Sequence, residues 1–304
     1  MGRAMLVIAA AIILLIAFAA ISSPPETTDQ AAAAALAVDP FDSVALEANA
    51  AIVIDIPSGT TLYEKNADAQ LPLASLTKVA LALVVAEALP LDTVITIPYY
   101  ASGAGSGAHL LKGEEWRLAD IIDFTLVESS NNGAEILADA TNAAIHDLHP
   151  GSPAEHATLW RMNDLARTLG LPQMYFLNVS GLDLSTTQAG AFGSARDVAK
   201  LFAYAASARP GLFAGTAQEG ITLTALNGRE ALASNTNVAQ GAIPGLIMGK
   251  TGFTDLAGGN LAVVFDVGLS HPAVAVVLGS SEEDRFEDIR QLVEAARLSF
   301  SDAE

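Results

Sequence analysis

Ser75-Leu76-Thr77-Lys78, running on into Val79-Ala80-Leu81-Ala82-Leu83-Val84-Val85-Ala86, is the stretch on which the reading of this chain turns. Every residue from Val79 to Ala86 is apolar, and Pro90 closes the segment. That pattern predicts a helix over residues 74–89 with no face left for water, which places it inside a core. Residues i and i+3 share a helix face, so the Lys78 amine comes within reach of the Ser75 hydroxyl. Taking a lysine out of water favours its neutral form, and a neutral amine is a base. With five lysines in the chain, one such pair also arises by chance, so the rest of the sequence has to decide its meaning.

Upstream, Ala51-Ile52-Val53-Ile54-Asp55-Ile56 is rich in β-branched residues and ends at Pro57-Ser58-Gly59, with Thr60-Thr61-Leu62-Tyr63-Glu64 behind it. This predicts a β-hairpin. Downstream, residues 118–141, 155–169 and 194–207 carry helical spacing. Strand character returns at Gly245–Met248, Asn260–Val267 and Ala273–Leu278. A last helix is expected over Glu282–Phe300, with Phe286, Ile289, Leu292, Val293 and Ala296 on one face. Strands, a long helical middle, strands and a helix together predict an α+β domain. An antiparallel sheet is built from both chain ends, a helical lobe is inserted, and the active site lies between the lobes.

Composition narrows the classes. The chain has 304 residues, 51% hydrophobic and 16% charged, which suits one globular domain with a continuous core. A net charge of −19 repels nucleic acid. There is no cysteine, so disulfides, thiol nucleophiles and cysteine zinc sites are excluded. The five histidines show no HExxH spacing, and His146 and His149 read as a solvated helix end, so no metal is expected. Residues 1–21 read as a signal or membrane anchor, with Arg3 ahead of an uncharged run from Ala4 to Ile21, and imply export. Residues 22–42, opening Ser-Ser-Pro-Pro-Glu-Thr-Thr, read as a linker, and residues 43–304 as the folded domain.

Two further motifs carry polar chemistry. Ser129-Ser130-Asn131 interrupts the apolar spacing between Leu126 and Ile136, as a turn pointing into a cleft would, though an ordinary capped helix start has the same look. Lys250-Thr251-Gly252 follows the strand at 245–248. Gly249-Lys250-Thr251 is not a phosphate-binding loop, because the glycine required at 244 is Pro244 and a strand, not a helix, follows. A lysine and a hydroxyl on a strand edge suit a carboxylate instead.

SxxK heading a helix, then SxN, then KTG on a strand resembles the motif set of the penicillin-recognising serine enzymes. Within these the chain is similar to the low-molecular-weight penicillin-binding proteins that are D-alanyl-D-alanine carboxypeptidases, over roughly Ala51 to Arg297. Besides Leu73–Lys78, the likeness includes Phe176-Leu177-Asn178 with Gly181-Leu182, Ser194-Ala195-Arg196-Asp197, Lys250–Asp255 and Arg285-Phe286-Glu287. The resemblance implies a β-lactamase/transpeptidase-like fold and hydrolysis of D-Ala-D-Ala stem peptides of peptidoglycan without a cofactor, with β-lactams as inhibitors. Ser75 is then the nucleophile and Lys78 its base. Ser129 relays a proton to the leaving amine, with Asn131 and Lys250 tuning the network. Thr251, Gly252, Phe253 and Arg285 bind substrate, and the Ser75 and Phe253 N–H groups hold the oxyanion. Phe253 stands where many relatives have His. Many relatives also carry a C-terminal β-domain and anchor, so attachment to the outer face of the cytoplasmic membrane is expected through the N-terminal segment. The alternatives are a β-lactamase or endopeptidase of the same fold, or a catalytically silent envelope-binding module. For the first, Gln173-Met174-Tyr175-Phe176-Leu177-Asn178 lacks the acid of an ExxLN loop.

Overall fold

A computed structural model describes residues 39–98, 110–268 and 270–301. The expected N-terminal segment 1–21 and residues 22–38 of the linker lie outside the described residues, while its last residues enter a 3₁₀ turn, Pro40–Ser43, with Phe41 buried. No helix among the described residues is long and apolar enough to cross a membrane.

The central sheet has five antiparallel strands. Two come from the start of the domain, β1 (Ala50–Asp55) and β2 (Thr61–Lys65), and three from its end, β10 (Leu246–Thr254), β11 (Gly258–Asp266) and β12 (Pro272–Ser280). Their spatial order is β10-β11-β12-β1-β2. The two chain ends meet where β1 pairs with β12, Ile52 opposite Val276. Successive side chains leave a strand on opposite faces, so the sheet separates two cores. Ile52, Val264, Val274 and Val276 join the larger core with the helical lobe. Ala51, Val53, Val263, Phe265, Ala275 and Val277 join a smaller one.

The helical lobe holds α1 (Thr77–Ala88), α2 (Leu118–Val127), α3 (Asn131–Leu148), α4 (Ala157–Thr168) and α5 (Ala195–Ala208). All residues of α1 from Thr77 to Ala86 are buried, as its unbroken apolar run requires. On the other face of the sheet, α6 (Asp284–Ser301) covers the smaller core with Ile289, Leu292, Val293 and Ala296. The buried Asp288 carboxylate of α6 accepts from the backbone N–H groups of Glu47 and Ala48 and from the Ser280 hydroxyl. That ties the segment before β1 to the last helix.

Three features differ from the sequence reading. The KTG triplet lies inside β10, not at its end, because pairing with β11 continues to Thr254 opposite Gly258. The helical stretch at 118–141, by contrast, breaks at residues 128–130, where the Ser129-Ser130-Asn131 interruption leads one to expect a turn. A hairpin of β8 (Gly220–Thr224) and β9 (Glu230–Ser234) was not anticipated, although Asn227-Gly228 sits at its tip with Gly228 at φ 85°. Short strands β3 (Leu71–Pro72), β4 (Val94–Thr96), β5 (Glu115–Arg117), β6 (Tyr175–Phe176) and β7 (Ala191–Gly193) were likewise unforeseen. Two or three residues are too few to show a period of two.

Candidate active site

Ser75 lies in a single 3₁₀ turn, Ala74–Leu76, that leads directly into α1. Ala74 is held at φ 48° and Ser129 at φ 59°, a left-handed backbone that residues with a Cβ avoid. Such conformations cost about 1–3 kcal/mol each and persist only where the surroundings enforce them. At Ala74 the enforcement is visible. A Cβ on Gly181 would fall 1.9 Å from the Ala74 carbonyl oxygen, and one on Gly252 would fall 2.8 Å from that of Leu73 and 3.2 Å from the Ser75 nitrogen. Glycine at both positions lets the 177–190 segment and strand β10 close on the backbone around Ser75.

One turn after Ser75, at the start of α1, the Nζ of fully buried Lys78 has three oxygen neighbours. Ser75 Oγ is at 2.7 Å, Asn131 Oδ1 at 2.8 Å and the Ser180 carbonyl at 2.8 Å. Burial pushes the amine down to about 7, with a smaller opposing pull from Glu135. A neutral amine has two N–H bonds and one lone pair. Asn131 and Ser180, which offer only acceptor oxygens here, take the two hydrogens, and the lone pair is left facing Ser75 Oγ.

Ser129 and Asn131 straddle the start of α3. Ser130 between them is the N-cap, fully buried, and its hydroxyl accepts from the Gly133 N–H at 3.0 Å. Ser130 therefore holds the helix start, while Asn131 turns to Lys78 and Ser129 to Lys250. Lys250 Nζ donates to Ser129 Oγ at 2.7 Å and to the Thr251 carbonyl at 2.9 Å. Burial holds this second amine well below the usual lysine range, and Lys78 and Arg285 lower it further. Each of these groups, when charged, disfavours the ammonium form of Lys250, and an entering anion would favour it.

The remaining expected residues gather on and beside β10. Thr251 is 4% exposed, and its hydroxyl lies 2.6 Å from that of Thr236. The Phe253 ring is exposed beyond the KTG triplet. Arg285, at the start of α6, is 6% exposed and donates from Nη1 to the Gly252 carbonyl at 3.0 Å, while its buried Nε has no partner in the structure. It is not paired with Glu282, Glu283 or Glu287 among the described residues, although all three are near in sequence. All nine residues expected from the sequence thus fall around one locus between β10, the head of α1 and the α2–α3 turn. Three contributors were not anticipated: the Ser180 carbonyl, Thr236, and Asp183, whose carboxylate accepts from Thr254 Oγ1 and the Leu256 N–H and secures the β10–β11 turn. Ser180 and Asp183 flank the Gly181-Leu182 pair already noted for its family likeness. Thr236 lies between two asparagines, Asn235 and Asn237, whose only sequence signal is that of a turn. No group of His, Asp or Glu able to hold a metal ion is present among the described residues. His146 instead faces the Ser152 carbonyl at 2.9 Å, and His149 packs against Trp160.

The chain is similar to known proteins in sequence and in fold. The chain is 30% identical over 248 residues to the D-alanyl-D-alanine carboxypeptidase DacF of Bacillus subtilis, covering 78% of this chain and 59% of that protein. It is 31% identical over 224 residues to the D-alanyl-D-alanine carboxypeptidase DacB2 of Mycobacterium tuberculosis, 72% of each. The ampicillin-bound crystal structure of penicillin-binding protein D2 from Listeria monocytogenes superposes with a TM-score of 0.70 at 29% identity, over 83% of this chain and 98% of that one. Residues 33–282 match the family Peptidase S11, D-alanyl-D-alanine carboxypeptidase, and the chain belongs to that family.

Proposed function

We propose that the protein is a serine D,D-carboxypeptidase that removes the terminal D-alanine from peptidoglycan stem peptides through an acyl-enzyme on Ser75. The observation that carries this reading is the pair of lysine–serine contacts, Lys78 to Ser75 and Lys250 to Ser129, each 2.7 Å long. In acylation, Ser75 Oγ bonds to the carbonyl carbon between the two D-alanines and its proton passes to the Lys78 lone pair. The carbonyl oxygen becomes an oxyanion held by the Ser75 and Phe253 N–H groups, donors worth about 3–4 kcal/mol each when lost. Ser129 gives its proton to the leaving nitrogen as the C–N bond breaks. The proton on Lys78 then passes to the Ser129 oxygen, so that one proton has moved from Ser75 to the leaving amine and Lys78 is neutral again. Asn131 holds Lys78 and Lys250 holds Ser129 in place for this transfer. Water then attacks the ester, with Lys78 again taking the proton, and frees the shortened peptide.

The terminal carboxylate is read by Thr251 and Lys250 with Arg285 nearby. Its negative charge returns Lys250 to the ammonium form, so substrate entry itself sets the electrostatics. Arg285 supports this role through its unpartnered buried Nε. We place the site on the outer side of the cytoplasmic membrane, with residues 1–21 as the exporting or anchoring segment, because peptidoglycan lies there. β-Lactams, which also present an acyl carbon and a carboxylate, are expected to acylate Ser75.

The test is labelling with a fluorescent penicillin and mapping by mass spectrometry. The adduct should sit on Ser75 and vanish in Ser75→Ala. An adduct on Ser129 with Ser75 free would overturn the assignment.

A further inference from the structure

We infer that Thr236, which lies outside the three motifs, is a positioning residue that fixes the direction of the Thr251 hydroxyl and so selects substrates ending in a free carboxylate. The inference rests on the proposed function and deepens its account of how the substrate end is read.

Thr236 Oγ1 and Thr251 Oγ1 are 2.6 Å apart, a short hydroxyl–hydroxyl hydrogen bond in which either oxygen could donate. Each hydroxyl has one hydrogen. A carboxylate only accepts, so Thr251 must spend its hydrogen on the substrate. The Thr236–Thr251 bond is then possible in one sense only, with Thr236 donating. In that arrangement the Thr251 hydrogen is turned away from Thr236 and toward the carboxylate, and its acidity is raised by the bond Thr251 accepts.

Thr236 is well held for this task. Its own N–H donates to the Val127 carbonyl at the end of α2, two residues before Ser129. The preceding Asn235 side chain donates to the carbonyls of Thr216 and Gln218 and accepts from the Asn237 N–H. Asn237 in turn accepts from the Ala239 N–H. This turn is thereby tied to the end of α2 through Val127 and to β10 through Thr251, which holds the Thr236 hydroxyl in place. The Thr236 hydroxyl has no part in bond making in the proposed mechanism, which makes its effect separable from catalysis.

The measurement is hydrolysis of two peptides that differ only at the end, acyl-D-Ala-D-Ala and its C-terminal amide. The amide group both donates and accepts, so it can bond Thr251 in either sense and does not need Thr236. Thr236→Val, near in shape but without the hydroxyl, should raise KM for the acid peptide by roughly tenfold, as expected for a lost bond to a charged group. It should change kcat little and leave the amide within about twofold of wild type, since that end needs no preset donor. Thr236→Ser should restore the acid peptide. If the Val variant does not fold, Thr236→Ala is read the same way. Equal losses on both peptides, or a Ser variant as poor as the Val variant, would show that Thr236 only shapes the turn and would sink the inference alone. A wild-type protein inert to both peptides and to penicillin would sink the proposed function and this inference together.

Discussion

Acylation should lose its base as pH falls, with a limb set by Lys78. Its amine is pushed down to about 7 by burial. Above that value it is neutral and can take the Ser75 proton; below it the third hydrogen fills the lone pair. The rate should therefore be flat on the alkaline side and fall on the acid side. Between about pH 8 and about pH 5.5 the neutral fraction drops from about 0.9 to about 0.03, so acylation should slow roughly thirtyfold. A fluorescent penicillin followed in single turnover reads this step alone, since its carboxylate stays ionised across the range. The structure also supplies a second handle. Glu135, one turn beyond Asn131 on α3, favours the charged form of Lys78. Glu135→Gln should move the limb to lower pH and so speed acylation on the acid side. A rate that is level from about pH 5.5 to 8, or a limb that moves up in Glu135→Gln, would refute the neutral-amine argument.

Other outcomes follow from single contacts. Lys78→Arg keeps a cation but offers no neutral amine, so penicillin labelling should slow by about a hundredfold or more, measured by the same assay. A chromogenic cephalosporin should give one burst per enzyme and little turnover, because the segment 173–178 holds no deacylating acid; steady rapid turnover would favour a β-lactamase. Gly252→Ala puts a Cβ against the Leu73 carbonyl and the Ser75 nitrogen, and should slow acylation at least about tenfold through displacement of the nucleophile. Asp288→Ala strands three donors that its carboxylate now holds, and should cost about 3 kcal/mol or more in urea unfolding.

The parts of the fold legible in the sequence were those with a long period. The run Val79–Ala86 could only be a buried helix, and the β-branched strands β1, β11 and β12 announced themselves by composition. The candidate site was legible as short motifs: Ser75 and Lys78 stand three apart at the head of α1, and Ser129 and Lys250 each belong to a recognisable triplet, although their contact spans 121 residues. What escaped is held by contacts distant in sequence. Ser180 acts through a carbonyl, which every residue has, so nothing in its side chain points to Lys78 102 residues away. Thr236 is marked only by its neighbours Asn235 and Asn237. Hairpin β8–β9 alternates buried and exposed residues, yet Ala231 and Ala233 are the buried ones in β9 and alanine is a poor strand signal.

The same long-range contacts explain why the three motifs must occur together. Lys78 alone, buried in α1, would be a destabilising amine, and Asn131 and Ser180 make its burial tolerable by accepting its hydrogens. Lys250 alone would be worse, since its nearest charged neighbours are cations. Its partner Ser129 is available only because residue 129 adopts a left-handed backbone while Ser130 caps α3. Ala74 holds a similar strain beside Ser75. These unfavourable terms are offset by the apolar packing of α1 and by the sheet on which β10 lies. A binding module could relax each of them by a single substitution to an apolar or smaller residue. That all are kept together, around one serine with a lone pair facing it, is the physical case for a nucleophile that reacts.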